Sequence, residues 1–194
     1  MIIIIMINLF SQILKEYVDR RFPENKTTKE VGAPIRKNKV KLPYYMASLD
    51  KIKEDDKALT KWVGKFKGPY LVSAKLDGIS ILYTTEGKSP KLYTRGRALE
   101  GLDVSHLIPY LNLPSIQNIT IRGELIIDIK TFNSKYKGQY KSPRNFIGGV
   151  VNSKTKNPSK WKSIHFVAYE LIKPSVCPSK QLKWLHDKKV KTVA

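Results

Sequence analysis

Residues 70–84 read Tyr-Leu-Val-Ser-Ala-Lys-Leu-Asp-Gly-Ile-Ser-Ile-Leu-Tyr-Thr. Residues 70–74 and 79–84 are apolar, aromatic and β-branched, and each predicts a strand. Between them stands Lys75-Leu76-Asp77-Gly78. A lysine at a strand end attacks nothing until it loses a proton, and burial or neighbouring cations ease that loss. Gly78 lets the backbone turn tightly and lets a phosphate come close. Asp77 shares a face with Lys75 if the strand continues, where it can orient a hydroxyl or a metal. Taken alone this is also what a Lys-Asp pair in an ordinary turn looks like, because Asp-Gly is a common turn dipeptide.

Working outward, Glu86-Gly87 marks a turn into a strand at 92–95. Residues 102–111 carry Leu102, Leu107, Ile108 and Leu111 at helical spacing, ended by Pro114. Residues 119–127 alternate and then become continuously β-branched, the pattern of a buried strand. A loop with a short helix is expected over 130–162, a strand over 164–171, a short helix over 180–187 and the start of a strand at 190–193. Upstream, apolar spacing predicts a helix over 7–22 stopped by Pro23, then a polar linker over 24–41, then a short helix ending near Gly68. The predicted class is α+β, mainly antiparallel sheets with flanking helices. The expected division is an N-terminal helix and linker at 1–40 and one larger unit at 41–194.

Of 194 residues, 36 are Lys or Arg and 16 are Asp or Glu, a formal net charge of +20. Such a charge calls for a polyanion, nucleic acid before an anionic lipid surface. The excess is concentrated at residues 130–162, with nine Lys/Arg and no acid, interleaved with Phe132, Tyr136, Tyr140, Phe146 and Trp161. Basic residues neutralise phosphates and aromatics stack on bases. A single cysteine, Cys177, excludes a disulfide framework within one chain and a cysteine-based zinc site. The apolar run at the start, residues 1–10, is shorter than the ~20 residues a bilayer requires. It also lacks the flanks of a signal peptide. The expected location is therefore intracellular, cytoplasmic or nuclear, with no membrane partner.

Further short motifs follow the lysine in order: Thr94-Arg95-Gly96, Gly101-Leu102-Asp103-Val104-Ser105, Arg122-Gly123-Glu124, Pro143-Arg144-Asn145 and Phe166-Val167-Ala168-Tyr169, with Tyr45 to Asp50 upstream. This ordered series resembles the adenylation (nucleotidyltransferase) domain of DNA ligases, closest to the NAD-dependent type, over about residues 40–194. The resemblance implies an ATP-grasp-like adenylation fold. It also implies a reaction in which Lys75 attacks the α-phosphate of NAD, forms lysyl-AMP and releases nicotinamide mononucleotide. AMP then passes to the 5′-phosphate of a DNA nick, and the 3′-hydroxyl displaces it. By the same resemblance, Arg95 contacts the nucleotide sugar or phosphate, and Glu124 holds ribose hydroxyls or assists a Mg²⁺ ion together with Asp77. Ser48 and Leu49 line the nucleotide pocket, and Tyr169 or Phe166 stacks on adenine. Arg144, with Lys141 and Lys154, faces nicked double-stranded DNA.

The sequence departs from the family pattern in places. Ser73 stands where an acid usually precedes the lysine, Arg97 and Ala98 replace Asp-Gly after Thr94-Arg95-Gly96, and Asn152 stands where a second arginine is expected. The nicotinamide-recognising domain and the strands that carry the last catalytic lysines are not found. The expectation is a partial domain that adenylates itself weakly or not at all. Two alternatives stay open. One is an ATP-dependent DNA or RNA ligase, or a capping-type nucleotidyltransferase, using ATP or another nucleotide in place of NAD. The other is a non-catalytic basic fragment that only binds nucleic acid.

Overall fold

A computed structural model of the chain describes residues 39–46, 56–68, 70–96, 99–153 and 157–193. The expected helix over 7–22 lies outside these residues. Four antiparallel strands form the main sheet: β2 (Ile79–Thr84), β3 (Lys91–Thr94), β5 (Thr120–Ile126) and β6 (His165–Lys173), in the order β3-β2-β5-β6. A two-stranded sheet pairs β1 (Lys39–Lys41) with β4 (Glu100–Leu102). Residues 39–41, expected as the end of a linker, are thus a strand, because Lys-Val-Lys alternates and finds an edge to pair with.

The alternation in β2 and β5 divides the sheet into two faces. Ile81, Tyr83, Ile121 and Leu125 point into the main core. Helix α3 (Pro143–Asn152) covers that core with Phe146, Ile147, Val150 and Val151, all buried. Burying each such side chain contributes about 1.5–3 kcal/mol before entropy is subtracted. Ser142 caps α3, its hydroxyl accepting the Asn145 N–H at 3.2 Å, and Pro143 follows at the first turn. Region 130–162 holds three helices where a loop and one helix were expected: α2 (Ile129–Lys135), α3 and α4 (Pro158–Trp161). Asp128 and Asn157 cap α2 and α4 through their side chains. The chain closes on α5 (Pro178–Asp187).

Three further expectations are corrected. The helix expected over 102–111 is β4 followed by a short 3-10 helix (Ser105–Tyr110) carrying Pro109, a residue that supplies no N–H to an α-helix. Residues 190–193 make only an isolated bridge, Ala168 with Thr192. Residues 70–74 form no strand. The preceding helix α1 (Asp56–Lys65) ends in an aromatic cluster in which Trp62 stacks near Phe66 and Tyr70, with centroids 5.3 and 5.4 Å apart. From Tyr70 the chain runs to Asp77 without a ladder, and Leu71 and Val72 are exposed. The composition suits a strand, but a strand needs a partner for its N–H and C=O groups. Among the described residues no strand pairs with this segment.

Candidate nucleotide site on the second sheet face

The opposite face of the main sheet carries Ser80 and Leu82 on β2 and Thr120, Arg122 and Glu124 on β5. In the register, Ser80 is opposite Glu124 and Leu82 opposite Arg122. The K-x-D-G loop enters this face from its edge. Gly78 is pressed against β5: a Cβ there would lie 1.9 Å from the Leu125 carbonyl oxygen, so only glycine fits. The closeness lets the Gly78 N–H donate to Glu124 Oε1 at 3.2 Å, while Ser80 Oγ donates to Glu124 Oε2 at 2.9 Å. One buried carboxylate thus ties together the loop, β2 and β5.

Burial pushes the Glu124 carboxyl above the ordinary carboxylate range. Hydrogen bonds from Ser80 and the Gly78 N–H oppose this, as do the positive charges of Lys75 and Arg144. Lys75 itself is exposed. Asp77, also exposed, pairs with Arg144 at 3.1 Å. That pair brings α3, whose second residue is Arg144, to the loop that carries Lys75. Arg95 continues the face, its N–H donating to the Ser80 carbonyl at 3.0 Å.

Tyr169 arrives by an irregularity in the ladder. Arg122 pairs with Glu170 and Gly123 with Ala168, so Tyr169 is the extra residue of a bulge in β6. Half-buried beside Ser80 and Glu124, its hydroxyl is driven far above the ordinary tyrosine range by burial, with the Glu124 charge adding to it. Phe166, the other aromatic expected to stack on a base, is on the wrong face. It is buried in the main core against Gly123, where a Cβ would lie 2.5 Å from its ring. The period-two alternation and the bulge separate the two aromatics.

Behind this site lies a pair that the sequence reading had not singled out. Arg122 and Glu170 are both buried, and Arg122 Nη1 donates to Glu170 Oε2 at 2.6 Å. Arg122 also donates through Nη2 to the Tyr45 carbonyl. It thereby anchors the segment that leads toward Ser48 and Leu49, which lie outside the described residues, as does Lys154. An arginine two residues before Glu124 on a buried strand was the available signal, since a buried guanidinium demands a partner. Lys141 is exposed just before α3, on the same side of the chain order as Arg144. A separate cleft of about 630 Å³ opens at the far end of the β2–β3 hairpin, lined by Lys41, Tyr44, Glu86, Lys91 and Tyr93 among others. It does not contain Lys75 or Glu124.

Among the described residues no group of three or more His, Cys, Asp or Glu is arranged to hold a metal ion. Asp77 is engaged by Arg144, and Glu124 by Gly78 and Ser80. This donor set does not make a cage of its own; it fits a cation only as one carboxylate ligand added to phosphate oxygens and water, as Mg²⁺ is often bound.

Comparison with known proteins shows what the chain is similar to. The family of NAD-dependent DNA ligase adenylation domains matches residues 36–193. The DNA ligase of Acanthamoeba polyphaga mimivirus is 43% identical over 189 residues, covering 93% of this chain and 30% of that protein. A putative DNA ligase, 205R, of Invertebrate iridescent virus 6 is 42% identical over 149 residues, covering 73% of this chain and 24% of its own length. A bacterial DNA ligase from Mycoplasmopsis pulmonis is 32% identical over 178 residues, covering 79% and 26%. The chain therefore spans less than a third of the length of these relatives.

Proposed function

The chain belongs to the NAD-dependent DNA ligase adenylation-domain family, and we propose that within it Lys75 accepts AMP from NAD and passes it to the 5′-phosphate of a nick in duplex DNA. The observation that carries this is the Glu124 carboxylate, which holds the Gly78 N–H of the K-x-D-G loop within the field of both Lys75 and Arg144.

NAD is a substrate here. Lys75, after losing a proton, directs its Nζ lone pair at the α-phosphorus, forming a P–N bond as the bond to the nicotinamide mononucleotide phosphate breaks. Arg144 and Arg95 neutralise charge on the phosphates, which suits their planar, always-charged guanidinium groups. Glu124 has two of its roughly four lone-pair positions filled by Gly78 and Ser80, and the others are available to ribose hydroxyls. Tyr169 offers a ring to the base. Asp77 would supply one carboxylate oxygen to a Mg²⁺ ion, which would offset phosphate charge when bound. The exposed cations Lys141 and Arg144 meet duplex backbone without reading sequence, and Lys154 is the third candidate for that role.

The test is a chimaera in which residues 36–193 replace the matching stretch of the mimivirus ligase. It is expected to take label from adenylate-labelled NAD and to seal nicked duplex, and the Lys75→Ala form is expected to do neither. Labelling that survives Lys75→Ala, or that runs better from ATP than from NAD, overturns the proposal.

No helix of the described residues is long and apolar enough to cross a membrane. The reading as a basic fragment that only binds nucleic acid predicts the opposite result in the same chimaera: DNA binding without label.

A further inference from the structure

We infer that Ser80 is a positioning residue of the adenylate site, which sets the orientation of the Glu124 carboxylate and, through it, of the loop that presents Lys75. The inference rests on the reading of this site as the place where AMP is taken up.

A glutamate is long and its terminal torsion is broad, so a carboxylate on a strand does not orient itself. Glu124 is oriented from two sides. Ser80 sits directly opposite it in the antiparallel ladder, at the separation where cross-strand side chains meet. Its hydroxyl donates to Oε2 at 2.9 Å, leaving Oε1 to the Gly78 N–H at 3.2 Å. A carboxylate only accepts, so the Ser80 proton is committed to it. The other groups acting on this site are the cations Lys75 and Arg144 and the Tyr169 hydroxyl, which also hydrogen-bonds the Ser80 side chain. The cations are on exposed side chains, and Arg144 is paired with Asp77. Ser80, by contrast, is held in the sheet, with its carbonyl accepting the Arg95 N–H at 3.0 Å. It is therefore the fixed point against which the carboxylate is set. Removing its hydroxyl frees the carboxylate to swing toward Lys75 and Arg144 and away from the Gly78 N–H.

The experiment uses the full chain, labelled with ¹⁵N, and follows the Gly78 amide by NMR while AMP is titrated as the probe. In the wild type this amide, donating to a carboxylate, is expected downfield and protected from exchange. In Ser80→Ala it is expected to move upfield and exchange about tenfold faster, and AMP affinity to fall about tenfold, the scale of one hydrogen bond to a charged group. Ser80→Thr, which keeps the hydroxyl on a strand, restores both. Thermal unfolding run alongside shows that each variant is folded. An unchanged Gly78 amide in Ser80→Ala overturns the inference, as does a Ser80→Thr chain that behaves like Ser80→Ala. If the wild-type chain shows no AMP binding, the functional reading falls while the Gly78 amide still decides the role of Ser80.

Discussion

Gly78→Ala is the substitution that tests most directly how the fold and the candidate site are joined. The added methyl would sit 1.9 Å from the Leu125 carbonyl oxygen and 3.0 Å from Glu124 Cγ. Real Cβ contacts stop near 3.0 Å, so loop and strand must part by at least 1.1 Å, the difference between the two distances. The near atom is backbone of a central strand, paired on both sides by β2 and β6, and cannot swing away as a side chain can. Overpacking of this kind costs about 1–3 kcal/mol. Moving the loop also breaks the bond from the Gly78 N–H to Glu124, leaving a buried carboxylate short of a donor, a further loss of about 1.5–3 kcal/mol. Together they remove about 2.5–6 kcal/mol from a total of roughly 5–15. With a urea slope of about 2 kcal/mol per molar, the unfolding midpoint should drop by roughly 1–3 M. The control is Gly64→Ala, at a helical glycine with no atom within 4 Å, which should leave the midpoint unchanged or raise it slightly. A Gly78→Ala midpoint within about 0.3 M of wild type would refute the packing argument. Full adenylation by a chimaera carrying Gly78→Ala would refute the link between this glycine and the site.

Other outcomes follow from neighbouring features. Arg122→Met leaves Glu170, only 7% exposed, without its cation, so stability measured by urea unfolding should fall by roughly 3–5 kcal/mol. Arg122→Met with Glu170→Leu should recover most of it, and failure to recover would deny that the lone charge is the cause. Burial raises the carboxyl of Glu86, but hydrogen bonds from Lys173, Thr120 and Tyr44 and the Lys173 charge outweigh it and hold the group below its ordinary 4.5. A folded value below the unfolded one gives stability that is complete above the ordinary value and lost as pH falls through the folded one. Glu86→Gln should therefore flatten the loss of stability between about pH 5 and pH 3, and an unchanged acid limb would count against this clasp. If Lys141 neutralises one DNA phosphate, Lys141→Ala should lower the slope of log K against log salt by about 0.9 on duplex DNA, measured by fluorescence anisotropy.

Much of the sheet was legible because its signals are local. The β2 strand begins and ends where the alternation of residues 79–84 predicts, and β5 falls within the predicted 119–127. The helices of 130–162 were less legible. Their starts depend on the side-chain caps Asp128, Ser142 and Asn157, set in a run whose Lys, Asn, Ser and Gly content reads as loop. Lys75, Asp77, Gly78, Arg95 and Glu124 were recognisable by motif order. Ser80 was not, since a serine on a strand carries no signal until its cross-strand neighbour is known.

The sequence by itself determined the strand-forming segments, the K-x-D-G loop, the basic surface and the family resemblance, all of which rest on residue type and short spacing. Only the tertiary structure decided that Ser80 faces Glu124 across a ladder 44 residues long in sequence separation. It alone decided that Tyr169 is the extra residue of a bulge beside the site while Phe166 stays in the core, and that residues 70–77 form no strand. The reason is the same in each case. A strand's period is two, so its faces can be read along the chain, but the register and the existence of a partner belong to another segment.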